Sequence, residues 1–226
     1  MIQIIGKKWH QGNANGKGFS ALNAPDASGE TKSGWTQTNT GGNASAVTFS
    51  NGLAVCNLIR YAGTTKQFTW GRSTKANIVK TSVFNFSAKV KMDGHSAGFV
   101  SLYNSGESRP GHVNAIRTIF NAATFYLSAI DSTGTAVSVN AAYAFGSGTW
   151  YWIEYVGDGT NLKFNMYTSE ANFLAKTGAV VALSIAISGI AGTITCNRWG
   201  IVALDSADAT YNLTLQKTDS AQCEWY

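Results

Sequence analysis

The sequence predicts an all-β chain, a sandwich or barrel of antiparallel strands, on three observations. From Ala46 onward apolar residues recur with a period of two, as strands with one buried face require. Turn-forming stretches rich in Gly, Asn and Asp separate these runs at short intervals. No alternation of strands with long helical patterns is present, which argues against a parallel βαβ sheet. At 226 residues the chain has a size at which β-sandwiches commonly fold as one unit, and it can bury a sizeable core without metals or disulfides. It contains no internal repeat of about 20–50 residues, so a solenoid or propeller is not expected.

Taken in order, residues 1–45 read as an irregular N-terminal arm, rich in Gly, Asn and Thr, with isolated anchors at Trp9, Phe19, Leu22 and Trp35. Such an arm wraps the sandwich, docks onto a partner or stays partly mobile. Val47 and Phe49 then alternate, Asn51-Gly52 supplies the positive φ angles of a tight hairpin, and Leu53 and Val55 resume the pattern. Val83 to Met92 forms a strand closed by Asp93-Gly94, and Phe99 to Tyr103 and Ile116 to Phe120 follow. Phe125 to Ile130 closes at Asp131 to Gly134. The clearest hairpin runs from Trp150 to Val156, turns at Gly157-Asp158-Gly159 and returns through Leu162, Phe164 and Met166. Arg198 to Leu204 and Tyr211 to Gln216 end the series. Only Ser169 to Lys176 reads as helical, one or two turns with Ser169 as N-cap.

The run from Thr149 to Tyr167, TWYWIEYVGDGTNLKFNMY, resembles the central hairpin of the concanavalin-A-like lectin/glucanase superfamily. Phe84 to Lys91 is similar to the early strand after that fold's first crossover. Gly200 to Leu204 and Tyr211 to Leu215 resemble its final pair of strands. The resemblance covers roughly residues 46–218. It implies an all-β, two-sheet antiparallel jelly-roll sandwich spanning residues 46–226 behind the irregular arm at 1–45. Members include legume-type lectins, laminin-G-like modules, endoglucanases and phage surface proteins, so the likeness speaks to fold rather than to one function.

Composition narrows the partners. Charged residues make up only 13% of the chain, against about 25% in an average domain. Asn, Thr, Ser and Ala are abundant beside seven Trp and nine Tyr, a surface texture polar without being charged. The net charge is +5, but Lys7-Lys8 is the only adjacent basic pair, and Arg60, Arg72, Arg109, Arg117 and Arg198 stand singly. Tracking a phosphate backbone needs cations clustered on one face, so no nucleic-acid partner is expected. Attraction to an anionic polysaccharide or a negatively charged partner surface fits the charge equally well. Cys56, Cys196 and Cys223 show no C-x-x-C spacing, and neither a zinc knuckle nor a redox pair is visible. The opening MIQIIGKK lacks the order of basic and apolar regions that makes an export signal. The apolar stretch from Gly178 to Ile194 is broken by Ser184, Ser188 and Gly189, so no membrane insertion is expected. Without a secretion route the Asn-x-Ser/Thr triplets at Asn43, Asn85 and Asn212 are chance matches. An extracellular texture without export signal leads to the expectation of a virion protein, made in a host cytoplasm, released by lysis and carried on a phage particle.

Catalysis is not expected. Glucanases of the resembled superfamily carry a Glu-x-Asp-x-Glu triplet on one strand, and none occurs among the twelve acids here. Asp93, Asp131 and Asp158 sit in turn sequences and read as turn formers. Glu154 lies inside a strand, either as a ligand-facing carboxylate or as a solvent-facing partner of Lys163 or Arg117. His10, His95 and His112 have no ligands at metal spacing, and no Gly-x-Ser-x-Gly elbow is present. Gly12 to Gly18 echoes a phosphate-binding loop but lacks its spacing and its Ser/Thr after the Lys. Calcium needs a cluster of oxygen ligands, and Asp205 with Asp208 reads more simply as a turn, so no metal or cofactor is expected.

Binding is the better expectation. Sugars are held by aromatic rings against their apolar faces and by planar polar side chains. Alternation places Trp150, Trp152 and Glu154 on one strand face and Tyr151, Ile153 and Tyr155 on the other. Trp152 thus either fills the space between sheets or lines a concave binding surface. The connection from Tyr103 and Asn104 through Glu107 and Arg109 to His112 is a second candidate, read either as a recognition loop or as a plain hairpin link. The expected function is a non-catalytic carbohydrate-binding or adhesion module displayed on a phage particle, contacting polysaccharide or cell-surface glycan and other virion proteins, as a homo-oligomer. A purely structural virion protein is the alternative, and a glycoside hydrolase the second.

Overall fold

Two seven-stranded antiparallel sheets pack face to face, and the strand from Trp150 shows how alternation builds them. Tyr151, Ile153 and Tyr155 are 2% exposed or less and belong to one core cluster, while Trp150 and Trp152 beside them are partly exposed. The computed structural model describes residues 35–40, 46–50, 53–59, 67–93, 98–107, 111–121, 123–144, 146, 148–204 and 210–216. Its strands are β1 (Trp35–Thr40), β2 (Ala46–Ser50), β3 (Leu53–Ile59), β4 (Gln67–Val79), β5 (Val83–Asp93), β6 (Gly98–Tyr103) and β7 (Ala115–Asn121). They continue as β8 (Thr124–Ile130), β9 (Ala136–Ala142), β10 (Trp150–Asp158), β11 (Asn161–Tyr167), β12 (Val181–Ala186), β13 (Thr195–Leu204) and β14 (Thr210–Gln216). One helix, α1 (Glu170–Ala175), and a 3-10 turn (Ile187–Gly189) complete the described elements.

The first sheet has the order β1-β4-β13-β6-β7-β8-β9 and the second β12-β11-β10-β5-β14-β3-β2. In each sheet a late strand inserts between early ones, β13 between β4 and β6 and β14 between β5 and β3. The arrangement is the expected jelly-roll sandwich. Aromatic side chains join the sheets across the core. Phe86 of β5 meets Trp199 of β13 with ring centroids 6.1 Å apart, and Phe125 of β8 stacks on Phe164 of β11 at 6.4 Å. The hydroxyls of Tyr155 on β10 and Thr118 on β7 hydrogen-bond across the same space. That bond satisfies two polar groups in an apolar interior, and burial pushes the Tyr155 phenol well above its ordinary range.

The turns follow their sequence signals. Asp131 Oδ1 accepts from Thr133 N at 2.9 Å, Thr133 Oγ1 at 2.7 Å and Thr135 N at 3.0 Å, while its Oδ2 accepts from Gly192 N at 3.1 Å. Asp158 Oδ1 accepts from Thr160 and Asn161 in the same way, and its Oδ2 pairs with Lys163 Nζ at 2.6 Å. Gly134 and Gly159 supply the positive φ that closes each turn. The helix begins where expected, with Ser169 Oγ accepting from Asn172 N at 3.2 Å. Ser50 pairs with Leu53, leaving the two-residue link expected at Asn51-Gly52, which itself lies outside the described residues. So does Gly94 of the turn expected at Asp93-Gly94.

One correction concerns the N-terminal arm. Trp35–Thr40, read as irregular, form β1 and pair antiparallel with β4 at the edge of the first sheet. The segment WTQTNT lacks apolar alternation, and an edge strand can take it because its hydrogen bonds come from the neighbouring backbone. The rest of that arm, 1–34 and 41–45, lies outside the described residues.

Close packing sets the cost of added atoms. A Cβ at Gly157 would stand 2.5 Å from Phe84 Cε1 and from the Ser82 carbonyl oxygen, whereas a Cβ at Gly189 meets nothing within 4 Å. Gly157→Ala is therefore expected to destabilise by about 2 kcal/mol or more, and Gly189→Ala to stay within about 0.5 kcal/mol of the parent, by urea unfolding. A second expectation concerns acid. The Thr133 hydroxyl, with backbone donors from Thr133, Thr135 and Gly192, holds the Asp131 carboxyl below its ordinary value, and Lys163 with Thr160 and Asn161 does the same for Asp158. Their ionised forms are favoured in the folded state, so the stability they contribute is present above the unfolded Asp value of about 3.9 and is lost as pH falls through the lower folded values. Urea midpoints taken from about pH 6 down to about pH 2 should drop below about pH 4, less steeply in Asp131→Asn than in the parent.

Candidate functional site

The outer face of the second sheet carries the candidate site. On β10 the residues alternating away from the core are Trp150, Trp152 and Glu154, and on β5 they are Asn85, Ser87, Lys89 and Lys91. Antiparallel register sets Trp150 opposite Lys91, Trp152 opposite Lys89 and Glu154 opposite Ser87. Directly opposed side chains lie close enough to touch. Lys89 Nζ lies 4.6 Å from the centroid of the Trp152 ring and 5.1 Å from that of Trp150, so one ammonium sits beside two indoles. Lys91 Nζ lies 5.4 Å from the Trp150 centroid. Each such contact is worth about 0.5–1 kcal/mol at a partly exposed position. Trp152 thus does not fill the space between the sheets; Tyr151, Ile153 and Tyr155 do.

Glu154 is neither of the things its sequence position suggested. Its side chain is buried, and α1 folds back over this part of the sheet to cover it. Glu154 Oε1 accepts from Tyr167 OH at 2.8 Å and from Asn165 Nδ2 at 3.0 Å, and Oε2 pairs with Lys176 Nζ. Neither expected partner is used. Lys163 pairs with Asp158, and Arg117 belongs to β7 in the other sheet, where its Nη1 donates to the Gly111 carbonyl oxygen at 2.6 Å. Lys176 takes the left-handed conformation, φ 56°, to end the helix, which brings its ammonium to the carboxylate and to within 3.8 Å of the Phe173 ring centroid. Desolvation and the neighbouring carboxylate push the Tyr167 phenol well up, so it remains a proton donor to Glu154 at every ordinary pH. The carboxylate's oxygens are engaged with three donors, and its role here is to fasten α1 to the sheet.

The loop candidates are tied down. Tyr103 is 1% exposed and offers no ring face. Asn104 Nδ2 donates to the Thr195 carbonyl oxygen at 3.2 Å, and its Oδ1 accepts from Gly106 N at 2.9 Å. Glu107 Oε1 accepts from Asn114 Nδ2 at 2.7 Å, and Asn114 Oδ1 in turn accepts from Thr195 N. These bonds staple the β6–β7 connection to the start of β13. His112 is half-buried in that connection, and Arg109 lies outside the described residues. The structure therefore brings Trp150 and Trp152 together with two lysines that sequence reading missed. The polar alternation Asn85, Ser87, Lys89, Lys91 was visible in the sequence, but the pairing of β5 with β10 was not. Among the described residues no group of three or more His, Cys, Asp or Glu could hold a metal ion. No described helix is long and apolar enough to cross a membrane.

No protein-family model matches the chain, and no curated protein matches it. Solved structures do. The exoplasmic/lumenal domain of VIP36 in its metal-free form aligns with a TM-score of 0.51 at 11% identity, covering 90% of this chain and 93% of that one. Its form bound to Ca2+ and Man2 aligns at 0.51 and 10% identity, covering 87% of each. An alginate lyase, A1-II′, aligns at 0.50 and 10% identity over 79% of this chain and 83% of its own. At these identities what is shared is the fold, the two-sheet jelly-roll sandwich, on which both a sugar-bound domain and a polysaccharide lyase are built.

Removing Glu154 should loosen α1 rather than a ligand. Glu154→Ala leaves Tyr167 OH and Asn165 Nδ2 without their acceptor, and is expected to cost about 1–3 kcal/mol by urea unfolding. Hydrogen exchange should show the amides of Phe173, Lys176 and Thr177 opening faster, since they close the helix's own bonds.

Proposed function

We propose that the protein is a non-catalytic glycan-binding module whose ligand lies on the outer face of the second sheet, against Trp150 and Trp152. The observation that carries this reading is the indole pair itself. Two large rings stand partly exposed on a central strand whose other face is locked into the core. Rings so placed lose little freedom on binding and present apolar area to a sugar face. VIP36, which shares the fold, is known with Man2 and with Man3GlcNAc bound, and this supports glycan as the ligand class.

Among the described residues, the engagement of four acids supports a binding rather than a hydrolytic role. Glycoside hydrolysis needs two carboxyl groups facing the sugar, one of them free to donate a proton. Glu154 is committed to α1, Asp131 and Asp158 to their turns, and Glu107 to Asn114. Display on a phage particle stays within the proposal on the strength of the sparse-charge, Asn- and Thr-rich composition.

The test is binding of the purified protein to a broad panel of bacterial and plant polysaccharides, with and without calcium, by affinity electrophoresis and calorimetry. Trp152→Ala should weaken binding about tenfold or more in a protein that still unfolds cooperatively. Glu154→Gln should leave binding within about threefold of the parent, as expected of a carboxylate outside the ligand's reach. Failure of a folded protein to bind across the panel overturns the reading, and release of reducing ends that disappears in Glu154→Gln would replace it with hydrolysis.

A further inference from the structure

We infer that the glycan taken by this face is acidic, a polysaccharide bearing carboxylate or sulfate groups; the inference rests on the reading of Trp150 and Trp152 as a glycan platform. Lys89 and Lys91 are the reason. Both project from the face that carries the indoles, and each stands directly opposite one of them across the β5–β10 ladder. Their ammonium groups lie 4.6–5.4 Å from the ring centroids, so the charges are placed at the platform itself.

Among the described residues no carboxylate pairs with these lysines. Lys163 pairs with Asp158 and Lys176 with Glu154, and neither pair involves Lys89 or Lys91. Glu154, the acid two positions from Trp152 on the same face of β10, has its oxygens occupied by Asn165, Tyr167 and Lys176. Even counting Asp93 at its end, the run from Lys89 to Asp93 keeps an excess of positive charge.

A neutral sugar would press its apolar face on these rings and leave two ammonium groups partly desolvated without a counter-charge. An acidic sugar does both tasks at once, with its ring face against an indole and its anion beside Lys89 or Lys91. Two lysines do not make a nucleic-acid track, which needs a row of cations along successive phosphates. Two cations bracketed by two indoles suit one or two acidic sugar units within a longer chain.

The experiment uses the full chain with four probes: polygalacturonate, its carboxyl-reduced neutral form, dextran sulfate and dextran. Polygalacturonate or dextran sulfate should bind at least about tenfold more tightly than its neutral counterpart, and which of the two binds assigns the anion to carboxylate or sulfate. Binding should fade as salt is raised to about 1 M, where screening acts within about 3 Å. Lys89→Gln with Lys91→Gln should lose about tenfold or more in affinity in a protein that still unfolds cooperatively, and Lys89→Arg with Lys91→Arg should keep it. Equal affinity for the charged and neutral forms, lost in Trp152→Ala, overturns the acidic class and keeps the glycan platform. Polyanion binding indifferent to both lysines overturns the assignment to this face. No binding to these probes or to any member of the wider panel overturns the platform and this inference together.

Discussion

The structure depends on the register of β10. Side chains alternate along a strand, so a slip of one residue would carry Trp150 and Trp152 into the core and expel Tyr151, Ile153 and Tyr155. Contacts on both faces oppose the slip. Inside, Tyr155 reaches Thr118 across the core, and Gly157 admits the Phe84 ring against its backbone. Outside, Glu154 is held by Asn165 and Tyr167 of the next strand and by Lys176 from beyond the helix. Each is a polar or steric condition that one register alone satisfies, whereas apolar burial by itself tolerates many arrangements.

That register also makes the outer face usable. Because β5 and β10 are interior strands of their sheet, flanked by β14 and β11, the four side chains at Lys89, Lys91, Trp150 and Trp152 rest on backbone with hydrogen-bonded neighbours on both sides. A platform of this kind changes little on binding, in contrast to a loop site that must be ordered first. The same sheet carries its own limit. Helix α1 covers the neighbouring stretch at Glu154 and so bounds the open part of the face at Trp152. The left-handed residue that ends the helix is a lysine rather than a glycine, and its side chain supplies the ion pair that the buried carboxylate needs.

Closure of the two sheets is long-range. β13 and β14, at the end of the chain, complete pairings begun by β3, β4 and β5. Pairings between such distant segments bring a large loop-closure cost before they are rewarded, so folding of this topology is expected to be slow relative to a helical domain of the same size. The low charge and the many Thr, Ser and Asn residues serve strands whose outer faces are solvated, as in β9, where the outward residues Ala136, Ser138 and Asn140 are exposed and the inward Val137 and Val139 pack on the core.

The sequence by itself determined the strand–turn grammar. Turns at Asp131 and Asp158, the short helix behind Ser169 and the two-faced strand from Trp150 all follow from local chemistry: carboxylates that accept from the next backbone N–H groups, glycines at positive φ, a period of two. Strands without that signature were not legible. β1 fell inside the arm read as irregular, β12 inside the broken apolar stretch from Gly178 to Ile194, and β4 and β9 between the strands that were read, because their places come from neighbours rather than from their own residues. The tertiary structure alone decided which face of β10 is core, that Lys89 and Lys91 stand beside the indoles, and that Glu154 belongs to a helix anchor. Those are facts of strand pairing and of one chain segment folding over another, and pairing joins residues about sixty positions apart, Lys91 to Trp150, that no local pattern relates.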